Sequence, residues 1–160
     1  GQLDFCVGID VPGSVSLESV GLFEDELVLV TAGRHALAPL KEVRWEQLAG
    51  QEIVVFTKGS IWEFASSALR QHGLSPSNLY QMIHSESLYG VVRAGIAVGI
   101  MPSLYTTFLN DEDLHVAPLR QPTCKRKIAL MRRNEISRNH HVDDCFSALR
   151  QDLQQVDQWF

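Results

Sequence analysis

Three short runs constrain this chain most. ELVLVTA (26–32), EIVVF (52–56) and IAVGIMP (96–102) are apolar at nearly every position. A strand with one wet face alternates apolar and polar residues. Runs without that alternation suit strands buried on both faces, where helices cover the sheet from two sides. The segments between the runs supply such helices. After EIVVF, residues Ile61, Phe64, Ala65, Ala68 and Leu69 recur at the i, i+3, i+4, i+7, i+8 spacing of one helical face. Ser60 followed by Glu63 has the form of a capping box opening this helix, and Gly73 after His72 closes it.

The remaining segments complete an alternating pattern. LDFCVGI (3–9) reads as a strand, and 10–21, with Pro12, two glycines and three serines, as a loop. RWEQLA (44–49) reads as a short helical turn ended by Gly50. LYQMIHS (79–85) reads as a strand that feeds a second helix, capped by Ser85 or Ser87, with Leu88, Val91 and Val92 inward and Gly95 as its stop. Gly99 inside a strand predicts a close approach of another group to the backbone, and Pro102 ends that strand. LHVAPL and KIALMRR are two later strands. A last helix is expected from Ser137 or Asn139, with Asp143 and Asp144 early, where the helix dipole favours them. Val142, Cys145, Phe146, Leu149, Leu153, Val156 and Phe160 would form its apolar stripe. The alternation predicts an α/β fold with a mostly parallel sheet.

With 160 residues the chain is long enough for one domain or two small lobes. A net charge of −5 provides no general attraction to nucleic acid or acidic membranes. No apolar run approaches the ~18 residues of a membrane span. The opening GQLDFCVGID starts in mid-alternation and lacks a basic segment and a cleavage site, as expected of a piece of a longer protein. Cys6, Cys124 and Cys145 are an odd set without a CxxC pair, which argues against a disulfide framework or a zinc knuckle and predicts small core residues.

The candidate site lies where EIVVF meets its helix. Thr57, Lys58, Gly59 and Ser60 stand at the carboxyl end of a strand and the amino end of a helix, where ligands collect in open α/β sheets. First-turn N–H groups lack intrahelical partners, Gly59 allows close approach, Thr57 and Ser60 bring hydroxyls and Lys58 a cation. The corner suits a carboxylate, a phosphate or a sulfate. It is equally what a plain capped helix with a solvated lysine would look like. HSES (84–87) repeats the design on the next strand with His84, Ser85 and Ser87, so two neighbouring corners could share one small ligand. Neither corner is a P-loop or a nucleophile elbow. The adjacent His140 and His141 lack metal spacing, and no metal site, cofactor or catalytic constellation emerges. Glu24, Asp25 and Glu26 read as a solvated loop edge, KRK (125–127) and Arg132–Arg133 as turn and strand-end charges.

Four stretches in order, LDFCVGI, FEDELVLVTAGRHAL, WEQLAGQEIVVFTKGS and VVRAGIAVGIMP, resemble the co-inducer-binding region of LysR-type transcriptional regulators. Gly1, Leu3, Asp4 and Ile9 match the first family motif. Leu27, Val28, Val30, His35 and Leu37 match the second, with Ala36 where proline is usual. Leu48 and Gly50 precede EIVVF as in the family. Val92, Gly95, Gly99, Ile100 and Pro102 match the last, with Ala97–Val98 a departure from it.

The resemblance implies a periplasmic-binding-protein-like (type II) architecture of two α/β lobes that bind an effector between them. About 12–135 would be the second lobe with its crossover strands, while 3–9 and 138–158 would be remnants of the first. Thr57, Lys58, Gly59, Ser60 and Ser85 would line one wall of the effector cleft, the opposite wall coming from residues outside this sequence. The expected partners are a small anionic metabolite, promoter DNA only through a winged helix-turn-helix absent here, and a second copy in a dimer. The expected place is the cytoplasm and no reaction is catalysed. The same architecture also serves transporter solute-binding proteins and some two-lobed enzymes.

Overall fold

The computed structural model describes residues 3–57, 59–75, 79–134 and 140–153, with the backbone alone at Ser60. In chain order the strands and helices are β1 (Phe5–Ile9), β2 (Leu17–Ala32), β3 (Val43–Arg44), β4 (Ile53–Phe56), α1 (Gly59–Gln71), β5 (Leu79–Met82) and α2 (Ser85–Arg93). They continue with β6 (Val98–Pro102), β7 (Leu114–Arg120), β8 (Lys125–Arg133) and α3 (His140–Leu153). Short 3-10 turns cover Trp45–Leu48 and Ser103–Tyr105. The chain divides into two compact units, Glu26–Lys125 and Gly1–Asp25 with Arg126–Phe160.

In the unit Glu26–Lys125 the strand order is β3-β7-β2-β6-β4-β5. β4 runs parallel to β5 (Ile53↔Leu79 to Phe56↔Met82) and to β6 (Ile53↔Val98), so each connection needs a helical crossover, α1 and then α2. β2 runs antiparallel to β6 and β7, and β3 parallel to β7, which makes the sheet mixed, with the parallel set β6-β4-β5 at one end. Successive side chains of a strand face opposite ways. Leu27, Leu29, Ile53 and Val55 pack on one face with Trp45, Leu48 and Ala65, Ala68 and Leu69 of α1. Val28, Val30, Val54 and Phe56 pack on the other with Leu88, Tyr89 and Val92 of α2. All four residues of β4 are buried, as its unbroken apolar run implies.

Gly99 fills the role expected of it. A Cβ there would stand 2.9 Å from Leu88 Cδ2 and 3.1 Å from Val92 Cγ2. Its hydrogen is what lets α2 lie on β6. Gly50, Gly73 and Gly95 end their turns with φ of 76, 63 and 73°, a region glycine enters without strain.

In the other unit β1 pairs antiparallel with β8, from Phe5↔Arg132 to Ile9↔Ile128. Leu22, Leu130 and Phe146 of α3 form its core, with Phe5, Val20, Leu149 and Leu153 against them. Arg132 ties the elements: it donates to Glu18 at 2.7 Å and Asp143 at 2.6 Å and lies 4.3 Å over the Phe146 ring.

Several expectations need correction. β2 begins at Leu17 inside the segment read as a loop. Ser19 and Gly21 occupy its outward positions while Val20 and Leu22 pack inward, so an alternating strand hid behind loop-like composition. The acidic stretch 24–26 is strand rather than loop, and of its three residues Glu24 alone is exposed. Asp25 is buried and accepts from Arg126 Nε at 2.9 Å and Nη2 at 2.6 Å, and Glu26 accepts from Arg120 at 3.0 Å. α1 begins at Gly59, which puts Ser60 in its first turn rather than at the cap. β5 ends at Met82 and α2 has His84 at its N-cap, so neither Ser85 nor Ser87 caps it. Cys6 and Cys145 are exposed and Cys124 half-buried, where core positions were expected. Cys145 precedes the inward Phe146 by about 100° of helix rotation, enough to leave the buried stripe. The expected α3 start at Ser137 or Asn139, and Val156 and Phe160, lie outside the described residues.

The Asp25–Arg126 pair is buried at both ends. Asp25→Ala leaves a guanidinium buried without its partner and lowers unfolding free energy by about 3–5 kcal/mol. Glu26→Ala at the more open Arg120 pair costs about 1 kcal/mol or less. Urea midpoints of the two purified variants test this ordering. Gly99→Ala overpacks the α2–β6 contact and costs about 1–3 kcal/mol on the same measurement.

Candidate effector-binding hollow

The ends of β4 and β5 lie side by side, Phe56 opposite Met82. The ladder runs one residue further, because Thr57 N–H donates to the Met82 carbonyl at 3.0 Å. The Thr57 hydroxyl is already engaged, donating to Gln81 Oε1 at 3.1 Å. Gly59 follows with φ 74°, and a Cβ there would meet nothing within 4 Å, so its backbone is open to approach. Lys58 and the Ser60 side chain lie outside the described part of the chain.

On the neighbouring strand, His84 sits at the α2 N-cap with extended backbone and makes no side-chain cap hydrogen bond. The first turn closes through Leu88 N–H to the His84 carbonyl at 3.2 Å. Amides of residues ahead of Leu88 thus have no partner within the helix. Ser85 is the first helical residue and Glu86 stands beside it in the first turn.

Both corners open on one hollow of about 690 Å³. The β4–α1 corner contributes Phe56 and Ile61; the β5–α2 corner contributes Ile83, His84, Ser85, Glu86 and Ser87. Tyr105, from the 3-10 turn after β6, completes the lining. Its ring tilts against Phe56 with centroids 5.0 Å apart, and its carbonyl accepts the Tyr89 hydroxyl proton at 2.5 Å. Burial, then Glu86, then Tyr105 push the Tyr89 phenol above its ordinary range, which keeps it a donor.

Of the residues expected at the site, Ser85 lines the hollow, while the described Thr57 and Gly59 lie at the corner beside its lining residues Phe56 and Ile61. Sequence reasoning missed Ile83, Glu86 and Tyr105. The first two adjoin residues it singled out; Tyr105 had only Pro102 as a signal that the chain turns after β6. Among the described residues no group of three or more His, Cys, Asp or Glu could hold a metal ion, and no helix is long and apolar enough to cross a membrane. The hollow presents first-turn backbone, the Ser85 and Ser87 hydroxyls and the Phe56 and Tyr105 rings. Tyr89→Phe strips the Tyr105 carbonyl of its donor and is expected to cost about 1 kcal/mol in thermal unfolding.

A family model described as LysR substrate binding domain matches residues 1–154. The "Probable nitrogen assimilation transcriptional activator" of Synechococcus elongatus is 28% identical over 136 residues, covering 82% of this chain and 44% of that protein. The uncharacterized HTH-type transcriptional regulator YfeR of Shigella flexneri is 27% identical over 153 residues, covering 94% of this chain and 49% of its own. The chain thus spans about half the length of these curated relatives. Among solved structures, the Synechocystis CcmR regulatory domain in complex with 2-PG superposes with a TM-score of 0.82 at 13% identity, over 96% of this chain and 74% of that one. The effector binding domain of a BenM variant superposes with a TM-score of 0.81 at 17% identity, over 99% and 74%. The type II periplasmic-binding-protein-like α/β fold is the one these regulatory domains share with this chain.

Proposed function

On the premise that the chain belongs to the LysR substrate-binding domain family, as its match over residues 1–154 establishes, we propose that it is the effector-sensing part of a bacterial transcription regulator. One observation carries the reading: two neighbouring strand-to-helix corners, β4–α1 and β5–α2, open on a single hollow. We read that hollow as one wall of the effector cleft, with Ser85 in its lining and Thr57 and Gly59 at the adjoining corner; Lys58 and Ser60 are assigned to the same wall from the sequence alone. The effector is a small anionic metabolite held by first-turn amides and hydroxyls and left chemically unchanged.

Sensing then needs only unequal affinity. An effector that binds one arrangement of the regulator tenfold more tightly shifts the equilibrium by about 1.4 kcal/mol. That shift reaches promoter DNA through a helix-turn-helix domain of the longer parent protein, since the chain's own net charge of −5 does not favour DNA. A cytoplasmic dimer is the form in which such a regulator would act.

Ser85→Ala removes a hydroxyl from the lining without touching the core. In calorimetric or thermal-shift titration with small organic acids, it is expected to weaken binding about three- to tenfold. Equal titrations for the wild type and Ser85→Ala would count against this wall. Turnover of a bound acid would instead favour an enzyme.

A further inference from the structure

The lining of the hollow comes from separate elements, and one hydroxyl joins two of them; the inference drawn from it rests on reading the hollow as the effector wall. The start of α2 brings Ser85, Glu86 and Ser87 to the lining, and the 3-10 turn after β6 brings Tyr105. Tyr89 stands about one helical turn beyond Ser85 and donates its hydroxyl to the Tyr105 carbonyl at 2.5 Å. The body of Tyr89 is 6% exposed and sits in the core with Val28, Leu88 and Val92. A phenylalanine would fill that space as well, so the hydroxyl adds little to the packing. What it adds is a tie between α2 and a residue whose ring lines the hollow.

Bonds within the turn do not replace this tie. Thr106 N–H and Oγ1 both donate to the Ser103 carbonyl at 2.8 Å, which closes the turn on itself without fixing where it lies. The Tyr105 ring leans on Phe56 with centroids 5.0 Å apart, a contact that tolerates sliding, whereas a hydrogen bond to a carbonyl is directional. The connection 103–113 meets α2 a second time, where Arg93, four residues after Tyr89, pairs with Asp111. α2 thus pins the connection on two successive turns. The Tyr89 pin holds a lining residue, while neither Arg93 nor Asp111 lines the hollow. We infer that Tyr89 is a positioning residue for effector binding: its hydroxyl holds Tyr105 in the wall, in register with the first turn of α2.

Tyr89→Phe keeps the ring and deletes the tie, and Arg93→Ala deletes the far pin as a control. In hydrogen exchange followed by NMR, the Thr106 amide is expected to exchange about fivefold faster in Tyr89→Phe and within about twofold of the wild type in Arg93→Ala. A role confined to packing would instead speed exchange of the β4 amides and leave Thr106 unchanged, and that result would overturn the inference. Calorimetric titration with acetate, malonate and phenylacetate reads the consequence for binding. An acid that binds the wild type and is weakened by Ser85→Ala is expected to be weakened about three- to tenfold by Tyr89→Phe and within about twofold by Arg93→Ala. Equal weakening by Tyr89→Phe and Arg93→Ala would trace the effect to general loosening and overturn the inference. An acid weakened by Ser85→Ala but not by Tyr89→Phe would overturn the role of Tyr89 and leave the effector wall standing. No binding of any of the three acids, with Thr106 still released by Tyr89→Phe, would overturn the effector wall and leave Tyr89 as the residue that holds Tyr105.

Discussion

Everything in the larger unit depends on β4 being buried on both faces. Ile53 and Val55 point into one core and Val54 and Phe56 into the other, each at 0–6% exposure. A strand so placed needs helices above and below it. Parallel neighbours β5 and β6 supply them, because each parallel connection must cross the sheet and can carry a helix as it does so. From β4 the chain passes through α1 to β5 on one side; from β5 it passes through α2 back to β6 on the other. That reversal makes a crevice at the carboxyl ends of the strands, where α1 and α2 both begin. The hollow is thus a consequence of how the core is closed.

The charged residues follow the same logic of burial. Read singly, an acidic stretch and a basic stretch separated by about a hundred residues suggest two solvated edges. Folding lays them on neighbouring strands, where Asp25 meets Arg126 with side-chain exposures of 1% and 8%. Two hydrogen bonds to one carboxylate oxygen compensate desolvation that neither group could bear alone. Arg132 does similar work more openly, bridging Glu18 and Asp143 across β2 and α3 while its plane covers Phe146. Such pairs are invisible to periodicity because they depend on which distant strands become neighbours.

Legibility divided along that line. Local signals served well: the apolar runs of β2, β4 and β6, the stripe of α1, and the glycines that end α1, α2 and the turn before β4 all stand where spacing placed them. Gly99 was readable because a glycine amid Val98, Ile100 and Met101 has little reason to be there except close packing. The first half of β2 was not readable, since Ser19 and Gly21 resemble loop residues until Val20 and Leu22 are seen facing the core. Within the site, the two corners were legible as strand-to-helix joins. Tyr105 was not: it comes from a separate turn after β6, and its place against Phe56 depends on the strand order.

That missing residue changes the physics of the hollow. Amides and hydroxyls at helix starts discriminate well but stabilise modestly, because each exchanges a bond to water for a bond to ligand. Apolar surface supplies the larger share of affinity in sites of this size, with a few polar groups fixing orientation. The corners of β4 and β5 alone would make a weak anion contact. The lining sets beside them a Tyr105 ring that leans on Phe56 and a Tyr105 carbonyl that accepts from Tyr89, so the hollow has an apolar surface that first-turn amides and hydroxyls lack.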